Sequence, residues 1–337
     1  MKNKLIRSTR LCLLLLMLSS GLKAQVQAVI QNFTVAQDGS GDFKTIQDAV
    51  NAVRDHSESK ATIYIKNGTY HEKLVISAWK KNIKLIGESK ERTIITHNDY
   101  SGKDFPTKDF TGNSTYSTYT SYTVLVQAND CNLENLTIEN TAGEVGQAVA
   151  LAVEADRIVV KNCDILGHQD TLYTSKDGRN YFENCFISGT TDFIFGEATV
   201  VFKNCVIKSL RNSYITAAST TKQQEFGYVF FNCKLIAAEG VDKVYLGRPW
   251  RPYAKSVFID TEMGAHIVKD GWNPWKGDVM FPDKEKTVFY AEYQSFGAGA
   301  NSESRVEWSK QLRRSDLKKY TLKNIFGSWN PFSEGHK

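Results

Sequence analysis

Short apolar runs of strand length alternate with turn residues along the middle of the chain, from about residue 124 to residue 238. Within this region, an asparagine followed by Cys or Leu, then any residue, then Ile or Leu, recurs at intervals of 27, 22, 20 and 28 residues. The asparagines are Asn135, Asn162, Asn184, Asn204 and Asn232. Self-similarity at a nearly fixed period in strand-like units is typical of a solenoid, in which each repeat is one coil stacked on its neighbour.

The region before the repeats predicts a helix and further strands. Apolar residues at 46, 49, 50 and 53 follow the spacing of a helix with one buried face, and such a helix would cover the open end of the first coil. Residues 61–70, 74–76 and 83–86 alternate as short strands do.

Two other segments depart from the repeat. Residues 98–122 have few aliphatic side chains and many Ser, Thr and Tyr residues, and we expect a loop that leaves the coil near a functional site. Residues 307–326 carry apolar points at Trp308, Leu312, Leu317 and Ile325, which we interpret as a helical segment packed against the outside.

Two aspartates occupy the same phase of consecutive repeats. Asp170 lies eight residues after Asn162, and Asp192 lies eight residues after Asn184. Gln147 and Gln169 are also one repeat apart, at 22 residues. Because stacked parallel strands lie about 4.8 Å apart, we expect both pairs to be neighbours in space. An isolated aspartate in a turn usually caps backbone amides, and Gln147 could be a satisfied polar residue of the coil, but the paired arrangement favours a site.

The first 24 residues have the pattern of a secretory signal peptide. Basic residues precede a short leucine-rich core, and the segment ends at Ala24. The apolar core is too short to span a bilayer of about 30 Å, so a membrane anchor is the weaker interpretation. We predict cleavage after Ala24, a single domain over residues 25–337, and export to the periplasm or the medium.

The leader also explains the charge of the chain. The formal net charge is +5, and residues 1–24 contain five basic and no acidic residues, so basic and acidic residues balance in the remainder. The composition therefore gives no reason to expect nucleic acid or a membrane surface as a partner.

Five cysteines follow the leader: Cys131, and then Cys163, Cys185, Cys205 and Cys233 in the same slot of successive repeats. We favour a ladder of small buried thiols inside the coil. A disulfide bridge between stacked neighbours remains the alternative, because their Cα separation would permit it.

Six ordered sequence blocks resemble the pectin methylesterases (pectinesterases), a family of carbohydrate esterases. They are GDFKTIQDAV at 41–50, GTYHEK at 68–73, GQAVAL at 146–151, GHQDTLY at 167–173, DFIFG at 192–196 and LGRPW at 246–250. The resemblance covers nearly the whole chain after the leader. It implies an all-β fold, the right-handed parallel β-helix, and hydrolysis of methyl esters of polygalacturonate without a metal or other cofactor.

The resemblance also implies a role for each matching residue. Asp192 would be the nucleophile, and Asp170 the general acid and then the general base. Gln147 and Gln169 would stabilise the oxyanion, and Arg248 would hold Asp192 ionised. Substrate contacts would come from Trp250, Tyr173 and Phe195. Pectin is the expected partner, and we expect a monomer.

One position departs from the family pattern. His168 precedes Gln169, where plant members have Cys and many bacterial members an aromatic residue. We interpret His168 as a neighbour of the site and not as a catalyst.

Other interpretations of the same residues remain open. The aspartate pair would also suit a glycosidase, and a β-helix can bind polysaccharide without catalysis. The enzyme could also act on another ester. Arg248 could be a clamp for the turn at Pro249, and the aromatic residues could serve packing alone.

Overall fold

The computed structural model describes residues 31–107, 112–175 and 177–332, and the predicted leader lies outside these residues. The described chain winds into coils, and each complete coil contributes one strand to each of three parallel sheets. Every strand pairs in parallel with the equivalent strand of the neighbouring coil. The chain therefore forms the parallel β-helix that the repeat predicts.

The strands are numbered in chain order, and those of the described residues fall into sheets of eleven, eight and seven. Sheet A contains β1 (Gln31–Val35), β2 (Ala61–Ile65), β5 (Ile83–Gly87), β8 (Asn132–Glu134), β11 (Ile158–Lys161), β14 (Arg179–Glu183), β17 (Thr199–Lys203), β20 (Tyr228–Phe231), β23 (Lys255–Ile259), β25 (Phe289–Tyr293) and β26 (Lys310–Gln311). Sheet B contains β3 (Gly68–His71), β6 (Thr93–His97), β9 (Thr137–Asn140), β12 (Asp164–Leu166), β15 (Phe186–Gly189), β18 (Val206–Ser209), β21 (Lys234–Ala237) and β24 (Glu262–Met263). Sheet C contains β4 (Leu74–Ile76), β7 (Val124–Val126), β10 (Leu151–Val153), β13 (Leu172–Thr174), β16 (Ile194–Gly196), β19 (Tyr214–Ala218) and β22 (Tyr245–Gly247).

The repeated asparagines form the sharp corner between sheets A and B. Each of the five has a positive φ, between 50° and 56°, in the left-handed region. Among residues with a Cβ, asparagine enters this region at the least cost, because its short polar side chain can hydrogen-bond locally. Asn162 also donates its side-chain amide to the Oδ1 of Asn135 at 2.6 Å. The sequence repeat therefore marks the residue that bends each coil.

The interior of the coils is filled by ladders of like side chains. The rings of Phe182, Phe202, Phe230 and Phe258 stack in consecutive coils, with centroids 5.1, 4.6 and 4.2 Å apart. Each stacked pair contributes about 0.5–1.5 kcal/mol beyond the burial of its area. The five described cysteines are buried and carry free thiols, so the predicted ladder is confirmed and the disulfide alternative is wrong.

The N-terminal helix is confirmed. Helix α1 (Ile46–Ala52) begins after Thr45, whose side chain accepts a hydrogen bond from the Asp48 amide at 3.1 Å. Its buried face carries Ile46, Ala49 and Val50, which join the interior apolar core. The helix packs against β1, β2 and β4 at the start of the coil stack.

The C-terminal segment packs outside, as predicted, but most of residues 307–326 are not helical. A 3₁₀ turn covers Asp316–Lys319, helix α2 covers only Leu322–Phe326, and Lys310–Gln311 pair as a strand with β25. The apolar positions from 308 to 325 do not fall on one helical face, so a longer helix would bury no continuous stripe.

The segment is anchored instead by side chains that cover the outer face of sheet A. Its Tyr320, Ile325 and Phe326 pack with Val159, Tyr181, Val201 and Val229. Neither α-helix within the described ranges has the length and apolar character to cross a membrane.

The corner asparagines generate a prediction that separates backbone conformation from side-chain contacts. Asn204 is exposed and has φ of 55°. We expect Asn204→Ala to lower the free energy of unfolding by about 1–2 kcal/mol, because alanine pays the steric cost of the left-handed region. Asn204→Gly is the matched control and should be less destabilising, because glycine has no Cβ. Urea unfolding measures both, and equal losses would show that the positive φ is not what the asparagine supplies.

Candidate active site

The four polar residues singled out by the repeat lie together at the edge of sheet C. Gln147 and Gln169 are partners in a parallel bridge, and the Ala148 amide donates to the Gln169 carbonyl at 3.0 Å. Asp170 and Asp192 each stand two residues before a sheet C strand, β13 and β16, which pair in register. The equal phase seen in the sequence therefore becomes adjacency in space.

Both aspartates have left-handed backbone conformations, with φ of 65° for Asp170 and 51° for Asp192. Aspartate tolerates this region better than most residues, and non-glycine residues with such φ values often occur at functional sites. The Asp170 amide donates to the Thr191 carbonyl, and the Asp192 amide donates to the Tyr214 carbonyl, at 3.1 and 2.9 Å. Hydrogen bonds to the next coil thus fix the backbone position of each aspartate, and with it the point from which the carboxylate side chain projects.

Arg248 approaches Asp192 from the end of β22. Its Nε and Nη2 donate to the two carboxylate oxygens of Asp192 at 3.0 and 2.6 Å. The guanidinium also lies over two aromatic rings, 4.0 Å from the centre of Tyr214 and 3.6 Å from that of Trp275. A two-point hydrogen bond fixes both the charge and the orientation of the carboxylate.

The two carboxyl groups are in unequal electrostatic surroundings. Only 8% of Asp170 and 6% of Asp192 are exposed. Burial, followed by the negative charge of Asp192, raises the pKa of Asp170 well above its usual range. Burial also raises the pKa of Asp192, but the hydrogen bond and charge of Arg248 act against it. When the pair holds one proton, Asp170 therefore carries it and Asp192 is the carboxylate.

The glutamines present amide groups beside this pair. The Gln147 carbonyl accepts a hydrogen bond from the Ser101 amide at 2.8 Å, so the segment 98–122 helps to fix the backbone of Gln147. The side-chain amides of Gln147 and Gln169 make no hydrogen bond to any other described residue. Both residues are half-buried. Two preset amide donors next to a carboxylate pair can stabilise negative charge that develops on a carbonyl oxygen.

A cavity of about 320 Å³ opens over these residues. All five predicted polar residues, together with Phe195 and Trp250, contribute to its wall. Tyr173 does not line this cavity. Its ring packs instead against Phe195, with centroids 4.9 Å apart, and against Tyr119, at 5.3 Å.

Sequence reasoning missed part of the wall, where Thr118, Tyr119, Ala217 and Trp275 also line the cavity. Thr118 and Tyr119 belong to the segment 98–122, so the expectation that this segment lies near the site is confirmed. Trp275 lies beyond the last repeat, so no repeat phase predicts its position relative to sheet C.

His168 points elsewhere. It lines a separate depression with Asn140, Ser188 and Leu210, among others, and not the cavity above the aspartates. Its carbonyl accepts from the Thr190 amide at 2.9 Å. In the described part of the chain, no group of three or more His, Cys, Asp or Glu side chains is arranged to hold a metal ion.

Comparison with known proteins gives one consistent family. The family model described as pectinesterase matches residues 32–328. A probable pectinesterase/pectinesterase inhibitor from Arabidopsis thaliana is 38% identical over 302 residues, which are 85% of this chain and 50% of that protein. The chain spans about half the length of the first curated relatives it matches.

Solved structures agree with this family. The pectin methylesterase from carrot is 36% identical, with a TM-score of 0.79, over 89% of this chain and 94% of the carrot chain. A pectin methylesterase in complex with a hexasaccharide is 32% identical, with a TM-score of 0.77, over 89% of this chain and 98% of that chain.

The raised pKa of Asp170 predicts how stability depends on pH. The folded state holds the Asp170 proton more tightly than the unfolded state does. The resulting stabilisation is complete below the unfolded pKa and is lost as pH rises through the folded pKa. Each unit by which the pKa is raised corresponds to about 1.4 kcal/mol.

The asparagine of Asp170→Asn cannot ionise, so the variant does not undergo this loss. We therefore expect the free energy of unfolding of the wild type to fall, relative to that of Asp170→Asn, as pH rises. Urea unfolding from pH 4 to 9 tests this, with the exposed Asp177→Asn as the control that should show no such trend. A constant difference between Asp170→Asn and the wild type at every pH would contradict the raised pKa.

Proposed function

Because this chain belongs to the pectinesterase family, we propose that it hydrolyses the methyl esters of polygalacturonate, with Asp192 as nucleophile and Asp170 as general acid and base. The products would be free carboxylates and methanol. The predicted leader would export the enzyme to the periplasm or the medium, where pectin is met as a polymer.

The observation that carries this proposal is the unequal treatment of two neighbouring carboxylates. Arg248 gives Asp192 two hydrogen bonds, at 3.0 and 2.6 Å, whereas burial and the charge of Asp192 favour a proton on Asp170. A nucleophile must be ionised and a general acid must be protonated, so one proton shared unequally supports both roles.

In the first half of the proposed reaction, a carboxylate oxygen of Asp192 attacks the C6 carbonyl carbon of a methylated galacturonate. The carbonyl oxygen becomes an oxyanion, and the side-chain amides of Gln147 and Gln169 donate to it. The bond to the methoxy oxygen then breaks, and Asp170 transfers its proton to that oxygen, so that methanol leaves. An acyl-enzyme anhydride on Asp192 and an ionised Asp170 remain.

In the second half, Asp170 takes a proton from a water molecule that attacks the same C6 carbon. The two amides stabilise the second oxyanion as they stabilised the first. The bond from C6 to Asp192 breaks, which restores the Asp192 carboxylate beside Arg248 and the proton on Asp170. The galacturonate leaves as a free acid, and the starting protonation state is regenerated.

The walls of the cavity suit a sugar polymer whose carboxyl groups are mostly methylated and therefore uncharged. Phe195 and Trp250 offer aromatic surfaces, with ring centroids 6.0 Å apart, on which pyranose rings can pack. We propose Trp250 and Phe195 as substrate contacts. Tyr173 is the register partner of Phe195 on the neighbouring strand, so its ring lies beside Phe195 on the same face of sheet C, and we propose it as a further contact outside the cavity.

The proposed chemistry predicts that either aspartate is indispensable for turnover. We expect Asp192→Asn and Asp170→Asn each to lower kcat by about 10³-fold or more, because each removes one member of a unit that acts together. Methanol release from methylated pectin measures this, and Asp177→Asn is the control. Circular dichroism and binding of methylated oligosaccharides should remain close to wild type.

Two results would contradict the proposal. Methanol release at a rate near wild type by Asp192→Asn would show that Asp192 is not the nucleophile, and the same result for Asp170→Asn would show that Asp170 is not the general acid. Release of new reducing ends without methanol would instead indicate a glycosidase.

The two amides give a second, graded prediction. Gln169→Ala should lower kcat by about 10²-fold or more, since the loss of one oxyanion donor is felt mainly in the transition state. KM should change less than kcat, because the uncharged carbonyl of the bound ester needs the donor less. A variant with raised KM and unchanged kcat would show that Gln169 binds substrate but does not stabilise the oxyanion.

A further inference from the structure

A lysine is fully buried behind the wall of the cavity. Lys284 begins a 3₁₀ turn (Lys284–Lys286), and its side chain has no exposed surface. Its ammonium donates to Oδ2 of Asp278 at 2.6 Å. Burial lowers the pKa of Lys284, while the hydrogen bond to Asp278 acts in the opposite direction.

The ammonium of Lys284 contacts both tryptophans of the cavity wall. It lies 4.6 Å from the ring centre of Trp275 and donates to the backbone carbonyl of Trp250 at 3.4 Å. The same Trp275 ring carries the guanidinium of Arg248, at 3.6 Å. Lys284, Trp275, Arg248 and Asp192 therefore form one continuous chain of contacts.

Hydrogen bonds hold the loop that bears Trp275 in place, both next to Arg248 and next to Lys284. The Asn273 amide donates to the Gly247 carbonyl at 3.0 Å, one residue before Arg248. Oδ1 of Asp278 accepts from the amides of Met280 and Phe281, at 3.0 and 3.2 Å, while Oδ2 binds Lys284. Asp278 thus organises the turn and holds the ammonium with separate oxygens.

A buried ammonium is costly, and an apolar side chain of similar length would fill the same space without that cost. The ion pair with Asp278 offsets part of that cost, and the positive charge of Lys284 also acts on the nearby Asp192. The ionisable groups around Asp192 are Asp170, Arg248, Tyr290 and Lys284, and the charge of Lys284 lowers the pKa of Asp192. The groups that face Lys284 itself are Asp278, Arg248 and Arg251.

We propose that Lys284 is a positioning residue for the reaction: it fixes the Trp275 ring against Arg248 and adds a second positive charge that keeps Asp192 ionised. This rests on the proposed function, because it assigns Lys284 a part in preparing the nucleophile. The role is separate from substrate contact, since the lysine is closed off from the cavity by the tryptophans.

The test is a comparison of kcat/KM against pH for the wild type, Lys284→Met and Lys284→Gln. Both variants are neutral, and glutamine can also keep a hydrogen bond to Asp278. We expect the acid limb to move to higher pH in both, since Asp192 then ionises less readily. Below the limb, kcat/KM should fall about threefold for a movement of half a pH unit.

The chain supplies a matched control two residues away. Lys286 lies on the same 3₁₀ turn, its side chain is 70% exposed, and it pairs with Asp283 at 2.7 Å. Lys286→Met removes the same charge from the protein surface and should leave the acid limb in place. Lys284→Arg restores the charge and should return the limb toward its wild-type position.

An acid limb at the wild-type pH in folded Lys284→Met and Lys284→Gln would overturn the proposal, even if both variants melted at lower temperature. So would an equal movement in Lys286→Met. A second readout needs no turnover: a ¹³C titration of the Asp192 carboxyl should give a higher pKa in Lys284→Met than in the wild type. That result would stand if the wild type released no methanol, and so distinguishes failure of this inference from failure of the proposed function.

Discussion

The site depends on the in-register parallel pairing of successive coils. The backbone ladder allows no slip between neighbouring strands, so residues at equal phase become neighbours whatever lies between them along the chain. The bridge between Gln147 and Gln169 and the pairing of β13 with β16 are two expressions of that ladder. The spacing of the asparagine corners varies from 20 to 28 residues, and the loops between sheets absorb the difference. A rigid stack thus carries the site while the loops remain free to vary in length.

Stacking Asp170 and Asp192 in adjacent coils places two carboxylates close together in a buried site, and the proposed reaction depends on the resulting difference between their pKa values. Two buried negative charges on neighbouring coils are unfavourable, so burial and the charge of Asp192 raise the pKa of Asp170 and the pair holds its last proton more tightly than an isolated aspartate would. Arg248 decides which aspartate gives it up, because its two hydrogen bonds reach Asp192. The left-handed backbone of both aspartates adds a conformational cost that the surrounding coils must offset. The fold therefore stabilises an arrangement that an isolated segment of this chain would not keep.

The features that could be predicted from sequence are those that the repeat or a local period encodes. The phase of Asp170 and Asp192, the buried cysteine ladder and the amphipathic helix α1 follow from spacing alone. Trp275 and Lys284 could not be predicted, because they lie on a loop whose position depends on contacts with Gly247 and Trp250 and not on coil register. The C-terminal segment shows the same limit. Its apolar residues indicate burial against sheet A, but not that the chain would pair Lys310–Gln311 with β25.

The most direct test of the account is the titration of the Asp170 carboxyl by ¹³C NMR in the wild type and in Asp192→Asn. The account predicts a wild-type pKa well above the usual value for aspartate. It also predicts a fall in Asp192→Asn, where the neighbouring negative charge is gone and Arg248 is released from its partner. An ordinary pKa in the wild type, or one that Asp192→Asn leaves unchanged, would show that the two carboxylates do not share a proton.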